Sequence, residues 1–396
     1  MNQLLIGLVG ALLATNQPQA VSNLIQQNAG VSVNLPNPND PAEKELARLM
    51  AEDDAAMAEV DKWIQDNNAF AAKGAGVSKA ELNKRIMARL DVVRKNYDDF
   101  LRRHPDFAHG HLAYASFLNN IGDEEAAKVQ NEKARELDPK DPAAWNNLGN
   151  YYGENGPITN AFVYFAKAIE LDPTESVYYQ NLAVMVYLYR VDARAFYHID
   201  EQQVFDKSLA LYRKALQLDP DNFPLVTDYA ESYYGIRPLR TNDALVAWTN
   251  ALQVAHNDVE REGVYIHLAR IKMLAGRYTE ARAQLDAVTN ATYADLKQTV
   301  GRAITWRENE ATNSIVGGDS TNTPGFPTNN FPAPTNALPA VTNVMTISTN
   351  SSLVLTNGMF ALTNPPVFSP KIVNTMTNVP PEPPKTSHLV TVLNAF

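Results

Sequence analysis

A step of 34 residues governs the middle of this chain. Pro105, Pro139 and Pro173 are spaced by it, and so are Gly122 and Gly156. A fixed step of this length marks stacked units, each too small to bury its own apolar face, which share one continuous core with their neighbours. The residue types fit paired helices. Ala115, Gly149, Ala183, Ala230 and Ala269 are small where the first helix of each pair must approach another, and Ala134, Ala168, Ala215 and Ala251 are small in the second. Small side chains let helix axes close to about 8–10 Å. Tyr114, Trp145, Leu148, Phe165, Tyr179, Tyr212 and Trp248 are large enough to fill the space between pairs. Gly122, Gly156 and Gly276 suit the left-handed residue that ends a first helix, and Leu-Asp-Pro at 137–139, 171–173 and 218–220 ends a second, because proline cannot continue a helix.

One unit carries the pattern in full: Trp145-x-x-Leu148-Gly149-x-x-Tyr152, then Ala161-x-x-x-Phe165, Ala168 and Pro173. It resembles the tetratricopeptide repeat at every diagnostic position. The resemblance implies an all-α fold, a right-handed superhelical α-solenoid of helix-turn-helix repeats. About five are expected within residues 105–295, at 108–141, 142–175, 176–222, 223–258 and 262–295. Two depart from the pattern. Pro173 to Pro220 is 47 residues, so the third holds 13 extra, placed around Tyr189-Arg190 to Asp200-Glu201. The fourth replaces its glycine turn by Gly235-Ile236-Arg237-Pro238-Leu239 and has His256 where the closing proline stands elsewhere.

Both ends of a solenoid need covering. Asp40-Pro41-Ala42-Glu43 starts a helix, with Asp40 as cap and Glu43 reaching back to the cap amide, and the helix should run to about Asn67. Its apolar positions Leu46, Leu49, Met50, Met57, Val60, Trp63 and Ile64 lie at helical spacing, which predicts one buried face. Ser78-Lys79-Ala80-Glu81 opens a second helix to about Arg103, and these elements make 40–104 an N-terminal cap. Residues 296–311, with Trp306, are expected to close the other end.

The resemblance also implies a concave groove, lined by the first helices, that accepts a peptide or protein segment. Repeat positions carried over would place there His109, Leu112 and Ser116; Asn146, Asn147 and Asn150; Gln180, Asn181 and Tyr187; Thr227, Asp228 and Glu231; and His267 and Arg270. The Lys and Arg pattern of repeats that clamp a terminal carboxylate is missing. Asn and Gln offer both donor and acceptor, which suits an extended backbone, while exposure to solvent alone accounts for Asn147 and Asn150 as well. The insertion supplies Arg190, Arg194, Phe196, Tyr197, His198 and Asp200, a mixture found at contact surfaces and equally in lengthened helices packed on each other.

Chemistry is harder to place. Without cysteine there is no thiolate metal site, disulfide or cysteine nucleophile. His109 and His111 are close in sequence but do not share a helix face, and no phosphate loop or nucleophile elbow is present. Paired carboxylates such as Asp98-Asp99 read as a solvated face, so neither an enzyme nor a metal or cofactor site is expected. With 34 Lys and Arg against 44 Asp and Glu, the net charge of −10 has the wrong sign for nucleic acid. No run approaches the roughly 20 apolar residues of a membrane span.

The charge is confined to the middle. Residues 1–39 carry none, and from Thr312 onward only Asp319, Lys371, Glu382 and Lys385 appear. The apolar run Leu4 to Ala14 suits a signal peptide over 1–20, with export to the periplasm or cell envelope and a polar linker at 21–39. Lys and Arg are missing before the run, and Pro18 sits badly for cleavage after Ala20, so an apolar segment docked on the helices remains the other reading. In 312–396 Thr-Asn recurs at 321, 328, 335, 342, 349, 356 and 363, a step of seven. Twelve prolines forbid a coiled coil there. Disorder is the first expectation, with short β pieces such as Val344 to Ile347 or a modified stalk as alternatives. These features together predict a non-enzymatic scaffold for a protein or peptide partner. The alternative is an envelope spacer whose tail attaches or self-associates.

Overall fold

The computed structural model describes residues 40–316. The expected signal peptide and linker (1–39) and most of the tail, with its Thr-Asn period, lie outside the described residues. Every described element is helical, and the chain divides between Thr174 and Glu175 into two compact units.

The first unit holds α1 (Pro41–Ala71), α2 (Lys79–Arg103), α3 (Ala108–Asn120), α4 (Glu124–Leu137), α5 (Pro142–Asn155) and α6 (Ile158–Leu171). Asp40 caps α1, accepting from the Ala42 amide at 2.8 Å, and Ser78 caps α2, accepting from Glu81 at 3.2 Å. Glu43 does not reach back to its cap as expected; its Oε1 lies 2.8 Å from Nδ1 of His109 and ties α1 to α3. Leu46, Leu49, Ala56 and Val60 of α1 bury against Leu90, Val93, Tyr97 and Phe100 of α2 and Tyr114 and Phe117 of α3. Tyr97 stacks on Tyr114 with ring centroids 5.1 Å apart. Removing rings of this size from water stabilises the unit by about 1.5–3 kcal/mol each.

The second unit holds α7 (Ser176–Leu188), α8 (Arg190–Tyr197), α9 (Glu201–Leu218), α10 (Phe223–Ser232), a 3-10 turn (Tyr233–Gly235), α11 (Thr241–Val254), α12 (Asp258–Leu274), α13 (Tyr278–Asp286), a second 3-10 turn (Ala291–Tyr293) and α14 (Ala294–Val316). Phe205, Leu209, Val226, Ala230, Trp248, Val264 and Leu268 belong to its core. The 13 extra residues form a helix of their own, α8, which His198 ends in the left-handed conformation (φ 56°). Asp200 and Gln203 then start α9 with a reciprocal capping box.

The small residues act as their sizes predict. Ala115, Ala183, Ala230 and Ala269 in the first helices, and Ala134, Ala168, Ala215 and Ala251 in the second, are all at most 1% exposed. At Gly149 the approach is closer still, since a Cβ would sit 2.7 Å from the Phe165 ring. The three Leu-Asp-Pro stops share one geometry: the amides of Asp138, Asp172 and Asp219 donate to the carbonyls of Ala134, Ala168 and Ala215. Trp145 departs from its expected role as buried filler. It is half-buried, donates from Nε1 to the Pro139 carbonyl at 2.9 Å and packs beside Tyr164 and Arg135. Trp306 is 57% exposed on α14. No described helix is long and apolar enough to cross a membrane.

Candidate functional site

The first helices of the second unit's pairs, α7, α10 and α12, bring several perturbed polar groups together. Gln180 on α7 donates from Nε2 to Oδ2 of Asp228 on α10 at 2.8 Å. One turn along α10 stands Glu231, and across from it on α12 stands Arg270, whose guanidinium lies 4.9 Å from the centre of the Tyr234 ring. The Tyr234 hydroxyl meets Nδ1 of His267 at 3.1 Å, and the imidazole stacks on Trp248 at 4.0 Å and 13°.

A departure from the repeat pattern shapes this face. The fourth repeat lacks a glycine turn after its first helix, and the 3-10 turn at Tyr233–Gly235 takes its place. A Cβ on Gly235 would lie 2.0 Å from the Tyr187 hydroxyl, so only glycine lets that phenol reach the backbone there. Tyr187 and Tyr234 thereby border the carboxylates.

Asp228, Glu231, Tyr234, His267 and Arg270 all keep some surface accessible. They are nevertheless desolvated enough to change their titration, as groups set in a recess should be. Burial pushes the Asp228 carboxyl up to about 6, against the lowering effect of the Gln180 bond. Glu231 rises to about 7 through burial and the nearby charge of Asp228, with Arg270 opposing. His267 falls to about 3, because burial and then the Arg270 charge disfavour its cation. The imidazole is therefore neutral at physiological pH. Arg270 and Glu231 attract each other yet make no ion pair, and Nη1 of Arg270 is buried with no hydrogen-bond partner among the described residues. The face thus offers an unused acceptor and an unused donor side by side.

The first unit treats the corresponding residues differently. Asn146 is fully buried and Leu112 is 8% exposed, so neither offers the open surface expected of it. Asn147 donates from Nδ2 to Oδ1 of the buried Asn131 at 3.2 Å, and His109 is occupied by Glu43. His111 is held by Gln130 and the Pro105 carbonyl, at 2.7 and 2.9 Å, apart from the partner of His109. Asn150 and Ser116 are half-buried. In the second unit Asn181 is 2% exposed, again not a surface group, and Thr227 donates to its own helix at the Phe223 carbonyl, 3.0 Å away.

The insertion divides. Arg194 and His198 are exposed, and Arg190 sits 3.5 Å from Glu201. Tyr197 is buried beneath the Lys207 ammonium, 4.2 Å from its ring, and burial lowers that lysine to about 8. Tyr234 and Trp248 were not among the expected site residues. The missing glycine turn was the available signal for Tyr234, and nothing in the pattern of Trp248 pointed to its stack with His267.

Residues 142–175 match the family model described as a tetratricopeptide repeat. Among solved structures, the chain is similar to YrrB, described as a tetratricopeptide-repeat protein with an unusual peptide-binding site, at 14% identity over 55% of this chain and 97% of that one, with a TM-score of 0.39. It is similar to pilF of Pseudomonas aeruginosa at 15% identity over 66% and 99%, TM-score 0.41. It is similar also to PilW, described as a widely conserved type IV pilus biogenesis factor, at 15% identity over 61% and 97%, TM-score 0.43. No curated protein matches the chain. Residues 142–175, which form the pair α5 and α6, are thus a tetratricopeptide repeat, and further helix pairs stand in both units.

Proposed function

We propose that this protein is a scaffold that binds a segment of another polypeptide on the face of the second unit formed by α7, α10 and α12, and that it works in the cell envelope. One observation carries the binding site: Nη1 of Arg270 is buried without a hydrogen-bond partner among the described residues, and the Glu231 carboxylate close enough to feel its charge makes no ion pair with it. A buried charged group without a partner costs more than a typical hydrogen bond returns, so a face that keeps one beside a carboxylate has a use for it. Binding fits these side chains better than catalysis. His267 is neutral and committed to Tyr234 and Trp248, and Asp228 is committed to Gln180. The envelope location rests on the apolar run Leu4 to Ala14 alone.

The test is crosslinked affinity capture from native cell envelope with the full chain and with a Glu231→Gln/Arg270→Met variant, read by mass spectrometry. A partner held by the first and lost by the second supports the reading. Identical partner sets for the two proteins would move the site elsewhere.

A further inference from the structure

The unpartnered Nη1 of Arg270 and the nearby Glu231 carboxylate define what the second unit can accept. We propose that the gap between Glu231 and Arg270 receives the carboxamide of an asparagine from the Thr-Asn repeat of this chain, residues 321–364. The proposal rests on the binding face described above and names its occupant.

A carboxamide is the side chain that carries a donor and an acceptor on one carbon, so its NH2 group can donate to Glu231 while its oxygen accepts from Arg270 Nη1. Charged side chains fit worse. A lysine would satisfy Glu231 and set a second cation against Arg270; an aspartate would satisfy Arg270 and set a third carboxylate beside Asp228 and Glu231. The face already contains half of the arrangement, since the Gln180 carboxamide donates to Asp228 at 2.8 Å. Glu231 accepts no such bond from a described residue, and Arg270 Nη1 finds no acceptor. A second carboxamide would come from outside the described residues or from another molecule.

The chain's own sequence supplies the ligand chemistry repeatedly. Seven Thr-Asn units follow at a step of seven, and from Thr312 to the last residue only Asp319, Lys371, Glu382 and Lys385 are charged. A nearly neutral segment suits a recess that penalises net charge, as the raised carboxylates there show. The threonine methyls can rest on Tyr187 and Tyr234. Reach is ample: at about 3.3 Å per residue, the 48 residues from Val316 to Asn364 span up to roughly 160 Å. A step of seven presents a fresh asparagine at regular intervals, so binding can hop between equivalent units, within one chain or between two copies.

The test uses the full chain with a photo-crosslinking residue at Val344 or Ser351, next to Asn343 and Asn350, followed by peptide mapping. Crosslinks are expected to land on 228–234 and 265–272, and mixing isotopically heavy and light protein tells one chain from two. Replacing the asparagine of all seven Thr-Asn units by aspartate, which leaves every described helix untouched, should lower the yield at least tenfold, and so should Glu231→Gln/Arg270→Met. Crosslinks that fall elsewhere, or yields that neither variant changes, overturn the proposal. If the tail misses the face while a captured partner still depends on Glu231 and Arg270, the occupant is wrong and the binding face stands. If neither depends on them, the face itself falls.

Discussion

The two units place polar residues at the same repeat positions and use them in opposite ways. In the first, His109 bonds Glu43, His111 bonds Gln130 and the Pro105 carbonyl, and Asn147 bonds Asn131, so these side chains hold helices together. In the second, Glu231 and Arg270 make no ion pair with each other, and the Arg270 guanidinium lies over the Tyr234 ring. A position in a helical repeat therefore fixes where a side chain sits and leaves open whether it serves folding or recognition. The neighbours differ: polar partners on other helices occupy His109 and Asn147, whereas an irregular turn, Tyr233–Gly235, follows the helix that carries Glu231.

The contrast can be broken most forcefully in the first unit. Gly149→Val drives atoms into the fully buried Phe165 ring, and thermal or denaturant unfolding should show a loss of about 3 kcal/mol.

The next largest effect is at Asp53, a carboxylate 8% exposed that accepts from the Tyr97 hydroxyl at 3.1 Å. Burial raises it to about 6. The native state then holds a proton that the unfolded chain, with an ordinary value of about 3.9, releases. This group's contribution is full below about pH 4 and is lost as pH rises through 6, a change of up to about 3 kcal/mol. Asp53→Asn should stabilise the protein at pH 8, with the difference vanishing toward pH 4, as urea titrations at the two pH values would show.

Glu231→Gln sharpens the contrast from the other side. Its carboxyl is pushed up to about 7, so the same sign applies: above pH 7 the ionised group costs stability that the neutral amide does not. The expected gain at pH 8 is about 2 kcal/mol or less, because the group keeps some solvent contact. Binding should weaken while stability rises, the exchange expected of a recognition residue. Smallest of all, Asn147→Ala should cost about 1 kcal/mol through the lost bond to Asn131 and leave binding unchanged.

Much of the helical framework was legible in the sequence because it depends on local chemistry. Ser78 caps α2, the Leu-Asp-Pro stops close their helices, and eight alanines at repeat positions are buried, each as its size or capping ability predicts. The insertion could be located by counting between Pro173 and Pro220, but whether it was loop or helix depended on how Tyr197 and Ala193 would bury. The site was half legible. Repeat positions brought Gln180, Asp228, Glu231, His267 and Arg270 to one face, since helical register alone decides that. They also nominated Asn146 and Asn181, which are buried, and Asn147, which is bonded internally. Partner choice depends on residues far apart in sequence, such as Asn131 and Asn147 on separate helices, and no pattern within a single repeat encodes it.

We propose that recognition belongs to the second unit and not to the first. Quantitative crosslink capture from cell envelope tests it with three full-length proteins: unaltered, Asn147→Ala/Asn150→Ala, and Glu231→Gln/Arg270→Met. Equal partner recovery is expected for the first two and at least a tenfold loss for the third. Loss with the asparagine variant and full recovery with the third would contradict it.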